Sequence, residues 1–155
     1  MGAGACEGVC PFLFKFDMDL DNIIEKINKE RNMATVMGME FFSTPEPDTC
    51  MARMRVDENS RQPMGYLSGG ASLALAETLA GAGSSALCPD KVCVGINVSG
   101  THVKAVPEGD VVTALARIVH CGSTLHVWNV DITDTSGQLI STAHVTNYII
   151  DKKNK

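Results

Sequence analysis

One carboxylate stands inside a stretch of sequence that is otherwise built for burial. Residues 65–81 read GYLSGGASLALAETLAG, and Glu77 is the only acidic residue among them. Burying an unpaired carboxylate costs several kcal/mol or forces the group to keep its proton. Glu77 therefore either has a partner that makes it a structural residue, or it faces a cleft in which it can do chemistry.

The residues before Glu77 could stabilise negative charge on a substrate. Ser68 is a good helix N-cap, and Gly69 opens the first turn. First-turn amides lack intrahelical acceptors and lie at the positive end of the helix dipole, so they can hold a developing oxyanion. Gln62, in the preceding loop, offers a side-chain amide as a second donor, and Gly69 leaves room for a carbonyl to approach the backbone. The glycine would equally serve tight packing of a helix on a sheet.

The spacing of these groups suggests a site shared by two subunits. Glu77 follows Gly69 by eight residues, which is about 12 Å along a helix axis. A nucleophile or base must come within about 3 Å of its target. A second copy of the helix, running antiparallel to the first, could bring its own Glu77 to that point.

One long helix and six strand-like segments must position these residues. The helix spans residues 69–87, and its apolar residues fall on all sides, which indicates that other structure encloses it. Its apolar run is too short and too interrupted to cross a membrane. The strand-like segments lie at 34–43, 49–57, 91–106, 109–122, 124–134 and 137–150. Short turns join the last four, which predicts an antiparallel meander.

These elements predict an α+β hot-dog fold. About six strands can share a core with such a helix only if the antiparallel sheet curls around it. In segment 124–134, strict alternation places His126, Trp128, Val130 and Ile132 on one face. Open sheet edges and an uncovered helix side predict at least a dimer.

The predicted domain organisation has three parts. An N-terminal extension (1–34) contains an amphipathic helix over residues 19–30, with Asp19 as its possible cap. The hot-dog domain covers residues 35–150, and a short basic tail follows at 151–155.

Composition argues against several classes of function. The 155 residues carry a net charge of -5 with no basic patch, which argues against nucleic-acid binding. Six dispersed cysteines without a C-x-x-C pair, and no secretory signal, predict reduced thiols in a cytoplasmic protein. The four histidines show no metal-binding spacing, so no metal site is expected.

Three stretches carry a resemblance to a known family. They are RMRVDENSRQPMGYLSGGASLALAETLAG (53–81), VGINVSGTHVKAVPEGDVV (94–112) and CGSTLHVWNVDITDTSGQLISTAHVT (121–146). Together they make residues 35–150 resemble the PaaI-like branch of the hot-dog acyl-coenzyme A thioesterases, whose members hydrolyse 1,4-dihydroxy-2-naphthoyl-CoA or other aromatic acyl-CoAs. The resemblance implies hydrolysis of an acyl-CoA with an aromatic or bulky acyl group. It also implies a homodimer that often pairs into a homotetramer. Coenzyme A is then part of the substrate, and no separate cofactor is expected.

The resemblance also implies roles for individual residues. The family's glutamate falls on Glu77, as nucleophile or general base, its polarising glutamine falls on Gln62, and its oxyanion amide falls on Gly69. Ser68 departs from the pattern, because family members usually have a histidine there that positions the thioester and the water. A serine can still cap the helix and donate one hydrogen bond.

The resemblance further implies a grip on the nucleotide part of coenzyme A. The corresponding positions are His102, Lys104, Gly122, Ser123 and Thr124. Lys104 suits a phosphate as a compact positive charge. Each of these residues could equally be a solvated loop residue.

Two other functions remain as alternatives. The first is a non-catalytic protein that binds acyl-CoA or an acyl carrier and has lost activity together with the histidine. The second is a hot-dog hydratase or dehydratase, but its D-x-x-x-x-H spacing occurs nowhere in this chain.

Overall fold

Six antiparallel strands form one sheet around one long helix in the computed structural model, which describes residues 18–152. The helices are α1 (Asp21–Asn28), α2 (Met33–Val36) and α3 (Gly69–Leu87). The strands are β1 (Glu40–Ser43), β2 (Thr49–Arg55), β3 (Lys91–His102), β4 (Val111–Cys121), β5 (Leu125–Thr133) and β6 (Leu139–Asp151). In space, the strands follow the order β1-β2-β4-β5-β6-β3.

The sheet wraps around α3 because the helix surface is made of small and apolar side chains. The helix contacts all the strands from β2 to β6. Leu75, Ala76, Leu79 and Ala80 are fully buried beneath them, and alanines and glycines let the sheet approach the helix axis closely. This arrangement confirms the predicted hot-dog fold and the predicted bounds of the helix.

The alternation predicted for β5 is also confirmed. His126, Trp128, Val130 and Ile132 are fully buried on the face towards α3. The residues between them lie on the outer face, where Asn129 and Asp131 are exposed.

The strand order corrects the predicted meander. β3 pairs with β6 rather than with the next strand β4, and β2 takes the place beside β4. The connection 103–110 must cross three strand spacings, about 14 Å, which is well within the reach of eight residues. The turn residues of this connection predict that the chain changes direction there, but they do not determine which strands become neighbours in the sheet.

The first predicted strand begins later than expected. Residues 34–39 form α2 and a turn, because Asn32 and Thr35 make a reciprocal capping box that starts a helix. Gly38, with φ of 63°, ends that turn. Helix α1 is also shorter than predicted, and Asp19 accepts a hydrogen bond from the Asp21 amide at 2.9 Å without being the N-cap residue.

The three-part division of the chain stays a prediction. Residues 1–17 and 153–155, which include most of the predicted N-terminal extension and of the basic tail, lie outside the described residues. Within residues 18–152, no helix is both long and apolar enough to cross a membrane. The same residues contain no group of three or more side chains suited to holding a metal ion.

Candidate active site

The first turn of α3 presents backbone amides that residues 18–152 do not satisfy. Ser68 occupies the predicted N-cap position, but its hydroxyl makes no hydrogen bond to the helix. The amides of Gly69, Gly70 and Ala71 receive no acceptor from the described part of the chain. These donors lie at the positive end of a 19-residue helix, where they favour negative charge.

Gln62 is held next to this turn by its own loop. Gly65 has φ of 84° and reverses the chain, and the Gln62 amide donates to the Tyr66 carbonyl at 2.7 Å. The Met64 amide donates to Oε1 of Gln62. The side-chain nitrogen of Gln62 has no partner among residues 18–152, so it is available as a donor.

His102 reaches the start of α3 from the end of β3. Its Nδ1 lies 2.9 Å from Oγ of Ser141, a buried residue opposite it on β6. Its Nε2 faces Gly69, where an added Cβ would lie only 2.7 Å from that nitrogen. The imidazole ring thus lies in contact with Gly69, next to the first-turn amides.

Glu77 lies on the side of α3 that the sheet leaves partly uncovered. Leu73, Glu77, Gly81 and Ser85 follow one another at intervals of four residues, and all are half-buried. The Glu77 carboxylate packs on Gly95 of β3, where an added Cβ would overlap Oε1. Within residues 18–152, Glu77 forms no ion pair and no hydrogen bond. The described residues therefore offer no partner that would make Glu77 a structural residue.

A single chain does not bring Glu77 to the first turn of α3. The two are separated by eight residues of unbroken helix, about 12 Å along its axis. The carboxylate lies instead against β3, which is an edge strand of the sheet.

A cleft beside the first turn joins three of the predicted site residues. Its volume is about 340 Å³, and it is lined by Gln62, Tyr66, Leu67, His102, Val103, Lys104 and Ala105. The Lys104 ammonium binds Asp134 and Gln138. The hydrogen bond from Lys104, followed by that from Ser136, holds the pKa of Asp134 well below its usual range. A phosphate at Lys104 would therefore compete with Asp134.

Gly122, Ser123 and Thr124 lie away from this cleft within one chain. They form the turn between β4 and β5, at the end of the sheet nearest the C-terminus of α3. The nine residues of β5 separate the two ends of the sheet by about 27 Å. The five residues that the resemblance assigned to coenzyme A thus fall into two groups in a single chain.

A second cleft lies on the other side of the first turn. It has a volume of about 260 Å³ and is lined by Met33, Met37, Asn59, Ser60, Arg61, Ser68, Gly70, Ala71 and Ala74. Met33 is the first residue of α2 and Met37 follows that helix. Of the two, only Met37 lies in the segment 34–43 that was predicted to be a strand. The first cleft lies at the lower end of the size range of typical ligand pockets, which starts near 300 Å³, and the second lies just below that range.

Sequence reasoning missed two residues that shape the site. Gly95 accommodates Glu77, and a glycine inside a strand was an available signal of such a close approach. Ser141 supports the His102 ring, and no local pattern distinguishes it from other strand serines. The pairing of β3 with β6 brings it there.

Comparisons with known proteins point to one family. Residues 64–141 match the family model described as the thioesterase superfamily. A 1,4-dihydroxy-2-naphthoyl-CoA hydrolase of Listeria monocytogenes is 33% identical over 120 residues, which are 77% of this chain and 95% of that protein.

Solved structures show the same architecture. A thioesterase of Haemophilus influenzae has a TM-score of 0.81 and 30% identity, over 92% of this chain and 97% of that one. The PaaI protein of Escherichia coli, from the phenylacetic acid degradation operon, has a TM-score of 0.72 over 81% of this chain and 89% of its own. Its identity of 17% makes this a likeness of fold alone.

Proposed function

The chain belongs to the thioesterase superfamily and is an acyl-CoA thioesterase, and we propose that it hydrolyses aromatic or other bulky acyl thioesters at a site shared by two subunits. The observation that carries the proposal is the position of Glu77. This carboxylate lies at an edge strand without a partner among residues 18–152, and it is too far from the donors of its own helix to act with them.

The edge strand β3 is the proposed dimer interface. It is 12 residues long, and none of its residues is buried in the single chain. Val92, Val94 and Ile96 are exposed along it. Long exposed edge strands are templates for pairing with another chain. An antiparallel pair centred near Val98 would set the partner's Gly95 opposite Thr101, next to His102.

Such a pairing would complete the catalytic groups. Glu77 packs on Gly95, so Glu77 of the partner subunit would approach the first turn of α3 along the shared strand pair. The partner would supply the carboxylate, while this chain would supply the amide of Gly69 and the side chain of Gln62. Two equivalent sites would result from one two-fold axis.

The chemistry needs one carboxylate and a set of hydrogen-bond donors. As a general base, Glu77 takes a proton from water while the water oxygen adds to the thioester carbonyl carbon. As a nucleophile, its oxygen adds to the same carbon and the mixed anhydride is then hydrolysed. On either route the C–S bond breaks, and the thiolate leaves and takes up a proton. The products are the carboxylic acid and coenzyme A.

The preference for a bulky acyl group rests on the second cleft and on a relative. Met33, Met37, Ala71 and Ala74 give that cleft an apolar wall directly beside the first-turn amides, and methionine adapts its shape to a ring. The Listeria monocytogenes relative carries the name of a hydrolase of a bicyclic aromatic acyl-CoA.

Thiol release from a panel of acyl-CoAs tests the activity. The panel compares benzoyl, phenylacetyl, naphthoyl, hexanoyl and acetyl thioesters, with free thiol followed by a disulfide reagent. We expect the highest kcat/KM with the aromatic thioesters. Tight binding without thiol release above the uncatalysed rate would instead identify a non-catalytic acyl-CoA binder.

Mixing two inactive variants tests whether the site is shared. One variant carries Glu77→Gln and the other carries Gln62→Ala, so a mixed dimer holds one intact site built from both chains. Random reassortment after co-refolding should restore about a quarter of the parental activity. A site contained in one chain would restore none.

Light scattering tests the interface itself. The parental chain should behave as a dimer or a pair of dimers, and Ile96→Lys should weaken pairing by placing a charge on the exposed edge. An active monomer at micromolar concentration would remove the shared site.

A further inference from the structure

We infer that His102 acts on the reacting thioester itself, as a hydrogen-bond donor to its carbonyl oxygen through Nε2. This inference rests on the proposed function, because it assigns one more residue to the same hydrolysis. It also differs from the sequence-based expectation, which placed His102 on the nucleotide part of coenzyme A.

The position of the ring is the first observation. The His102 imidazole lies directly against Gly69, because any Cβ at that position would come within 2.7 Å of Nε2 and 2.8 Å of Cδ2. The ring therefore stands at the start of α3, where the free first-turn amides are, and not in the solvent beyond the end of β3. The cleft that it lines also contains Gln62.

The orientation of the ring is the second observation. Nδ1 lies 2.9 Å from Oγ of Ser141, and Ser141 is only 1% exposed. When the Ser141 hydroxyl donates to Nδ1, the proton of the neutral imidazole is on Nε2. Nε2 has no partner among residues 18–152, so its N–H is available to a ligand in the cleft.

Thioester hydrolysis can use hydrogen-bond donors such as the N–H group of His102 Nε2. As an oxygen nucleophile adds to the thioester carbon, negative charge develops on the carbonyl oxygen, and preorganised donors stabilise it. His102 Nε2–H would donate beside the Gly69 amide and the Gln62 side chain. No proton is transferred from His102. The charge on the oxygen returns to the carbonyl bond as the thiolate leaves.

The neighbouring lysine shows a contrasting placement. Lys104 lies two residues further along the chain, and its ammonium binds Asp134 and Gln138. The Lys104 side chain is 41% exposed, so an external phosphate can reach it in competition with Asp134. The His102 ring instead has one nitrogen tied to a buried serine and the other directed at the first turn.

A truncated substrate distinguishes the two roles. His102→Ala and His102→Gln are assayed with one aromatic acyl-CoA and with the same acyl group on N-acetylcysteamine, which lacks the nucleotide. We expect His102→Ala to lower kcat on both substrates by a similar factor, on the order of 100-fold. Glutamine can place an amide N–H near the position of Nε2, so His102→Gln should retain part of the lost rate.

Two controls accompany the assay. His144→Ala removes an exposed histidine whose Nδ1 binds Asn129 at 2.6 Å on the outer face of the sheet, and it should leave both rates unchanged. Calorimetric titration with coenzyme A alone should give the same Kd for His102→Ala as for the parental chain. Thermal unfolding shows that each variant is folded.

The outcomes separate this inference from the proposed function. A defect in His102→Ala that disappears on the truncated thioester, or a weaker Kd for coenzyme A with unchanged kcat, would return His102 to the nucleotide site. An unchanged rate on both substrates would also overturn the inference while leaving the thioesterase intact. A parental chain that hydrolyses neither substrate would overturn the proposed function itself.

Discussion

The two ends of α3 each use a glycine to admit an aromatic ring, but they leave opposite chemistry behind. At the N-terminal end, Gly69 admits the imidazole of His102. At the C-terminal end, Gly83 admits the indole of Trp128, whose Cη2 would lie 2.5 Å from an added Cβ. The polar atoms around the first ring are open to a cleft, whereas those around the second are enclosed in the core.

The enclosed end is organised around one hydroxyl. Oγ of Ser84 accepts from Trp128 Nε1 at 2.9 Å and from Asn147 Nδ2 at 2.9 Å. It lies 3.1 Å from Nδ1 of His126, to which it can donate. A serine hydroxyl has one donor and two acceptor sites, so this network uses all of them. All four residues are fully buried.

The open, N-terminal end of α3 also brings a histidine and a serine together, but several hydrogen-bond donors there lack an acceptor among residues 18–152. His102 also binds a serine through Nδ1, yet its Nε2, the amide of Gly69 and the side-chain nitrogen of Gln62 have no acceptor in residues 18–152. Unsatisfied donors weaken a fold unless something else needs them. The difference indicates that the C-terminal end serves stability and the N-terminal end serves the substrate.

The sharpest test of this division is Glu77→Gln. The change keeps the shape of the side chain but removes the basic oxygen, so turnover should fall by about a thousandfold or more. Since Glu77 has no partner within residues 18–152, Tm should stay close to the parental value. Glu25→Gln, on the exposed face of α1, is the matched control and should leave the rate unchanged. A destabilised Glu77→Gln protein with parental turnover would make the residue structural.

Substitution of Ser84 and Ser141, the two serines that contact histidine rings, should give the next largest difference between the two ends of α3. Ser84→Ala leaves buried Trp128 Nε1 without an acceptor and removes one of the two acceptors of Asn147 Nδ2. This should cost about 3 kcal/mol and lower Tm by roughly 6–12 °C in a domain of this size. Its kcat should be retained. Ser141→Ala should instead lower kcat with a smaller change in Tm, because it frees the His102 ring.

Calorimetry gives Tm and steady-state kinetics gives kcat for the two serine variants. If Ser141→Ala lowers Tm as much as Ser84→Ala does and leaves kcat intact, both ends are structural and the division between them is wrong.

The sequence predicted those parts of the molecule that depend on local patterns. The start of α3 after Ser68, its end at Leu87 and the inward face of β5 follow from residue type, composition and alternation, and the structure confirms them. The Ser68 hydroxyl itself makes no capping hydrogen bond. The sequence also predicted that Glu77 has no charged partner within α3, because Leu73 and Gly81, four residues away on either side, carry no charge.

The contacts across the sheet could not be predicted in this way. His102 reaches Gly69, and Gly95 receives Glu77, only because β3 lies beside β6 and along the helix. That strand order depends on the path of the connection 103–110 rather than on any residue in it. The error at residues 34–39 has a local cause, since the capping box formed by Asn32 and Thr35 was overlooked.

Glycine variants along α3 probe the packing at the enclosed end. Gly83→Ala places a methyl group against Trp128 and Cys50, and overpacking of this kind should cost about 1–3 kcal/mol. Gly81→Ala is the matched control, because an added Cβ there meets nothing within 4 Å in the single chain. It should raise stability by about 0.5–1 kcal/mol through helix propensity. Chemical denaturation measures both, and equal effects would show that the Trp128 contact is not tight.

The smallest expected effect is a pH dependence of stability that arises at the enclosed end. Burial, and then the charge of His120, lower the pKa of His126 below its ordinary value. Below the ordinary histidine pKa, the unfolded chain therefore binds a proton that the folded chain resists. Neutral His126 therefore contributes its full stabilisation at a pH above the ordinary histidine pKa. This stabilisation is lost as the pH falls below that value towards the lower pKa of His126 in the folded protein. Tm should thus decrease from pH 7.5 to pH 5.5, and less steeply in His126→Asn, which keeps an acceptor for Ser84 but cannot be protonated. An equal slope in His126→Asn would assign the effect to other groups.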